Sequence, residues 1–156
     1  MTAIKTQGTQ LYYASAATTV TTVGPISGLT NLDGGNVDQI DITLLTATAR
    51  SYLAGLANPG ALSVDIVFDP LDVTMQAIIA LKDAGTTVSW CIGFSDGSTP
   101  PTAAASVIVQ PAAASRTSVK FSGFISGFVV DAPGNDAVKA KATLQISGNL
   151  TWVYHT

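Results

Sequence analysis

The chain has 156 residues, enough for one domain to bury a core without disulfide or metal support. Only 11% of them are charged and the net charge is −3, which excludes a dedicated nucleic-acid binder, because such proteins cluster Lys and Arg to displace counterions from phosphate. The single cysteine, Cys91, excludes an intrachain disulfide framework and is expected as a small buried packing residue.

Every acidic residue is an aspartate, and hydrophobic residues reach 47%. A chain so poor in charge is expected to expose weakly charged, partly apolar surface, a mark of contact sites. The N-terminus, Met1 to Gly8, lacks the apolar core of a signal peptide, and no stretch has the length of a membrane helix.

In chain order, Gln7–Tyr13 reads as a short strand after a flexible arm, 1–8. Val23–Leu29 reads as a strand running into the turn Asn31–Asn36. Val37 to Leu44 alternates with period two, which puts Ile40, Ile42 and Leu44 on one face of a half-buried strand. A long inter-strand loop, 46–60, follows and carries Arg50-Ser51-Tyr52-Leu53. That length without regular structure is usually functional. Leu62, Val64, Ile66 and Phe68 share one face of the next strand.

One helix is expected, over about 70–84. Asp69-Pro70 supplies an N-cap and a proline at the first helical position. Leu71, Met75, Ile78, Ile79 and Leu81 make the apolar stripe, and Gly85 takes the left-handed position past its end. Thr87 to Phe94 is again a strand, with Val88, Trp90, Ile92 and Phe94 together. An Ala-, Pro- and Ser-rich insertion, 96–115, follows, with Val107–Val109 as a candidate extra strand. Val119 to Val129 and Val138 to Trp152 are long strands, the latter well beyond the usual ~5–6 residues. Strands of that length bend to join two packed regions. Neither an internal repeat nor a linker divides the chain, so a single domain, 1–156, is expected.

Gly93-Phe94-Ser95-Asp96-Gly97 matches the G-x-S-x-G nucleophile elbow, and Asp131 and His155 follow in the order of such hydrolases. The elbow needs a strand-to-helix turn. Here Pro100 and Pro101 block a helix, and His155 stands one residue from the end, where chains fray. Ser95-Asp96-Gly97 is better read as a turn. Asp38 and Asp41 fall on opposite faces of a strand. No His or Cys cluster suits zinc, and no glycine-rich phosphate motif is present. Neither a catalytic residue nor a cofactor is expected.

The order of these pieces carries a resemblance. The strand Gln7–Tyr13, then Val23–Leu29, the loop around Arg50–Leu53, Asp69-Pro70 with the single helix and Lys82-Asp83-Ala84-Gly85, and finally Phe121–Gly127 with a last long strand resemble the tail tube proteins of long-tailed non-contractile bacteriophages. The resemblance covers nearly the whole chain. It departs at the insertion 96–115, where the family often has a short hairpin, and in the lack of the immunoglobulin-like C-terminal domain that some members carry.

The resemblance implies a mainly β fold, a β-sandwich or small barrel with one flanking helix. It implies a structural virion protein, made in the host bacterial cytoplasm, whose hexameric rings stack into a hollow tube. DNA and the tape-measure protein pass through that tube, so a neutral or acidic lining is expected, with Lys139 and Lys141 outside it or ion-paired. The implied partners are other copies of the chain and the tape-measure, tail-tip and tail-terminator proteins, with no membrane. Loop 46–60 corresponds to the loop that reaches a neighbouring ring, and Arg50, Tyr52 and Leu53 are its candidate contact residues. The competing readings are a subunit of a contractile or type VI-like injection tube and a small-ligand β-barrel carrier.

Overall fold

A computed structural model describes residues 3–33, 35–46 and 48–156. Met1 and Thr2 of the expected arm, Gly34 of the 31–36 turn and Ala47 of the 46–60 loop lie outside the described residues. The elements are β1 (Gln10–Ala14), β2 (Val20–Thr22), β3 (Ile26–Thr30), β4 (Asn36–Asp41), β5 (Tyr52–Asn58), β6 (Ala61–Val67), α1 (Val73–Ala84), β7 (Val88–Gly93), β8 (Thr102–Ala104), β9 (Val107–Val109), β10 (Ser118–Asp131) and β11 (Lys139–Val153).

Seven of these strands form one antiparallel sheet in the order β2-β1-β7-β10-β11-β6-β3. Period-two alternation builds its core. Leu11 and Tyr13 of β1, Leu62, Val64 and Ile66 of β6, Trp90 and Ile92 of β7, and Ala142, Leu144 and Ile146 of β11 meet in one buried cluster. Strands far apart in the sheet order therefore share an interior, so the sheet curls around its own core like a small barrel. The long strands β10 and β11 make the bend. Their register shifts between Lys120 and Ser122 and again between Ile125 and Gly127, as bulges do when a sheet must turn. Gly148 sits opposite the first shift with φ +81°, a left-handed conformation that a side chain would strain. At Gly123 a Cβ would lie 2.6 Å from the Gln145 carbonyl oxygen, and the Gly123 carbonyl accepts the Trp90 indole N–H at 3.0 Å.

The helix packs Met75 and Ile78 into the same cluster. It starts later than the sequence suggested. Asp72, not Asp69, is its N-cap, accepting from the Thr74 amide at 2.8 Å. Asp69 instead accepts from the Leu71 amide at 2.9 Å, and its carbonyl accepts from Asp72 N–H. This local turn holds Pro70 outside the helix, because an Asx side chain that satisfies a nearby amide competes with helix entry. Leu71, expected in the apolar stripe, consequently points to solvent. The C-terminal reading stands: Gly85 has φ +62° and its N–H reaches the Lys82 carbonyl.

The insertion 96–115 is folded. Its strands β8 and β9 form a small hairpin that lays Ile108 against Tyr12, Ala14 and Cys91 on the outer face of β1 and β7. Those two strands are thus covered on both faces, which explains their unbroken burial. Fully buried, the Cys91 thiol is pushed up to about 11. The insertion is closed by Arg116, whose guanidinium is entirely enclosed. Its Nε donates to the Phe94 carbonyl at 2.6 Å, Nη2 to the carbonyls of Gly93 at 2.7 Å and Gly8 at 3.1 Å, and Nη1 to Tyr12 Oη at 3.0 Å and Gln10 Oε1 at 3.2 Å. These five acceptors match the five N–H donors of arginine. Gly93 is required beside it, since a Cβ there would lie 2.6 Å from the Arg116 Cζ.

Candidate assembly interface

Strands β4 and β5 stand apart from the curled sheet as a separate two-stranded hairpin. The reading of 46–60 as an unstructured loop is corrected here, because Tyr52–Asn58 is a strand. The half-buried face expected for Val37–Leu44 is corrected as well. No residue of β4 is buried, and Ile40 and Ile42 are each 51% exposed. An isolated two-stranded hairpin is at best marginally stable in water, so its order depends on its root and its own cross-links.

The root is tied to the barrel. The Gly60 carbonyl accepts from the Gln145 side chain at 2.8 Å and from the Ile146 amide at 3.2 Å, and Asn31 Nδ2 donates to the Ala61 carbonyl at 2.9 Å. The two chain crossings at the root nearly touch, since a Cβ on Gly35 would sit 1.9 Å from the Asn58 carbonyl oxygen. Toward the tip the ladder continues past the strands through Ile42 N–H to the Ser51 carbonyl at 3.0 Å and Ser51 N–H to Thr43 Oγ1 at 2.9 Å. The Thr43 hydroxyl and amide hold the Asp41 carboxyl below the usual carboxylate range.

Register sorts the side chains into two unlike faces. Ile40 pairs with Leu53, whereas Asp41 pairs with Tyr52, and neighbours along a strand point to opposite sides. One face carries Ile40, Ile42 and Leu53. The other carries Gln39, Asp41 and Tyr52, and there Arg50 Nη1 approaches Tyr52 Oη at 3.5 Å. The structure thus brings Arg50 and Tyr52 together and places Leu53 on the far side. The sequence reading missed Ile40 and Ile42 as contact candidates because alternation reports a half-buried strand without saying what buries it.

The hydrolase constellation is not assembled. Ser95 lies in a turn after β7 with its hydroxyl donated to the Lys5 carbonyl. Asp131 lies at the opposite end of β10, paired with Lys139. His155 Nδ1 stands 3.7 Å from Asp96 Oδ2, and its amide donates to Thr117 Oγ1 at 2.9 Å. Burial opposes ionisation of Asp96, but hydrogen bonds from Thr117 and the nearby His155 outweigh it and hold the carboxyl below its ordinary value. Lys139 pairs with Asp136 at 2.8 Å and Lys141 with Asp65 at 3.9 Å. The barrel interior that a ligand carrier would keep open is filled by Trp90, Phe121, Leu62 and their neighbours. Among the described residues no helix is long and apolar enough to cross a membrane.

Residues 2–156 match the family described as phage tail tube, lambda-like. The chain belongs to that family. It is 36% identical over 149 residues to structural protein 3 of Pseudomonas phage PAJU2, an alignment that covers 93% of this chain and 90% of the relative. Its fold is that of the SPP1 tail tube, with a TM-score of 0.68 over 97% of this chain and 80% of that one at 11% identity. It is also that of the tail of an empty gene transfer agent particle refined with C6 symmetry, with a TM-score of 0.66 over 96% and 98% at 14% identity. This tail tube protein is a structural component of the phage particle, and its mainly β fold with one helix is the tail-tube fold.

Proposed function

We propose that copies of this tail tube protein, folded as a single domain over 1–156, close into six-membered rings that stack into the hollow tail. DNA and the tape-measure protein pass through the lumen, and tail-tip and tail-terminator proteins bound its two ends. The role is mechanical and involves no reaction. One observation carries the reading: a hairpin with an apolar face that no other described residue covers projects from a barrel whose interior is full. Such a surface gains its burial from other copies. Arg50, Tyr52 and Leu53 contribute to that contact, between rings. The ion pairs of Lys139 and Lys141 support a channel that does not grip phosphate, since neutralised cations release few counterions from DNA.

The test is negative-stain electron microscopy of the purified full-length protein across a concentration series. Uniform hollow tubes or six-fold rings are expected. A particle that stays monomeric at every concentration, with and without tail-tip components, overturns the reading.

A further inference from the structure

A stack of identical subunits is joined head to tail, and a head-to-tail contact needs two different, complementary patches on one chain. The hairpin's apolar face is one. The second must be concave, apolar and uncovered. Beside α1 a groove of about 670 Å³ is lined mainly by small residues such as Ala14, Ala77, Ala80 and Thr87 and carries no stack of aromatic rings. The groove at the hairpin root belongs to the hairpin itself.

A third groove, of about 550 Å³, is different. Phe94, Trp152 and Tyr154 stack along it with ring centroids 6.0 and 5.9 Å apart and planes within 12° and 7°. Ile4 forms a further wall, and Asp96 and His155 lie at its rim. Tyr154 is 64% and Ile4 48% exposed. The groove is built in advance, so little ordering is needed when it is filled. Ser95 holds the Lys5 carbonyl, Arg116 holds the Gly8 carbonyl, and Thr117 holds the His155 amide. Its volume lies in the range that receives a drug-sized molecule, enough for the tips of two or three aliphatic side chains.

Charge is matched on one side of the groove. Asp38 shares the hairpin face of Ile40 by strand alternation, and the exposed Lys5 flanks the continuation of the groove beyond Ile4, while Asp96 at the rim is already engaged by Thr117 and His155. Trp152 also lines the hairpin root, so one apolar stripe runs from the root of a chain's own hairpin to the groove that would receive another's.

We propose that Ile40, Ile42 and Leu53 of one copy seat in the groove of Ile4, Phe94, Trp152 and Tyr154 on a second copy. The proposal rests on the tube reading and specifies the receiving surface. To test it, full-length Leu53→Cys and Tyr154→Cys variants are made singly and together. Each is inspected by electron microscopy and treated with a short bis-maleimide. The native Cys91 is fully buried and does not compete. Expected are tubes, a ladder of cross-linked species from the double variant, dimers from the mixed single variants, and at least ten-fold less product from either single variant alone. A double variant carrying Leu53→Cys with Val73→Cys on α1 is the control and gives no ladder. Tubes without a Leu53–Tyr154 ladder overturn the groove as receiver and leave the tube reading intact. If no condition yields tubes or rings, the tube reading fails and the pairing fails with it.

Discussion

The barrel wall at β1 and β7 and the hairpin β4–β5 are written in the same alphabet of alternating aliphatic and polar residues, yet they end in opposite environments. Trp90 is 1% exposed and Leu53 55%. In the wall both faces are covered, inside by the core and outside by the β8–β9 hairpin. In β4–β5 neither face is covered within the chain. Alternation therefore specifies a surface that must be buried, and only tertiary placement decides whether the chain buries it itself or leaves it to another copy.

The contrast breaks first at the wall. Trp90→Ala removes a fully buried ring and its hydrogen bond to Gly123, and is expected to lower unfolding stability by about 3–5 kcal/mol. Arg116→Ala is expected to follow closely, at about 3 kcal/mol, because several buried carbonyls and the Tyr12 hydroxyl lose their donor at once. Urea denaturation of each variant checks both, and a loss below about 1 kcal/mol in either would mean that the wall is not the stable region it looks.

Leu53→Asp sharpens the comparison from the other side. At a half-exposed position it is expected to change monomer stability by no more than about 0.5 kcal/mol, while tube or ring formation by electron microscopy is lost. Val73→Asp, at the exposed start of α1, is expected to leave assembly intact. Assembly by Leu53→Asp as efficient as by the parent chain would remove the apolar face from the interface.

The sequence made the wall legible because period-two alternation in Leu62–Phe68, Thr87–Phe94 and Val138–Trp152 survives into the fold with its faces unchanged. It made the end of α1 legible through Gly85, where only a left-handed residue fits. It misplaced the start of α1 because two aspartates, Asp69 and Asp72, both have capping chemistry, and only the turn at Pro70 decides between them. The strand Tyr52–Asn58 was hidden by Gly55 and by a bulge opposite Asp38, where β5 spends one extra residue between Ala54 and Ala57. Arg116 gave no local signal, since its acceptors come from residues as distant as Gly8 and Phe94.

A smaller effect tests the helix entry. Asp72→Ala removes the side-chain acceptor for Thr74 N–H and is expected to destabilise the protein by about 1 kcal/mol, whereas Asp69→Ala, outside the helix, is expected to cost clearly less. The reverse order, read from thermal unfolding, would restore Asp69 as the cap.

The smallest expected effect is one of pH, at the end of the wall. Asp96 accepts from the Thr117 amide with both carboxylate oxygens, at 3.1 and 3.2 Å, and its folded-state pKa is lowered. A carboxyl depressed on folding adds stability that is complete above its unfolded value, near 3.9. That stability is lost as pH falls through the folded value. Asp96→Asn cannot titrate, so the parent should lose stability relative to this variant as pH falls below about 4. Because Thr117 also holds the His155 amide, the same acidification should loosen the last residues of β11 before the rest of the barrel, which amide exchange at Val153 to His155 would report. A pH dependence identical in the two proteins would show that the Asp96–Thr117 contact is not what fastens the chain end, and would move that role to the bond from the Thr156 amide to the Ala113 carbonyl.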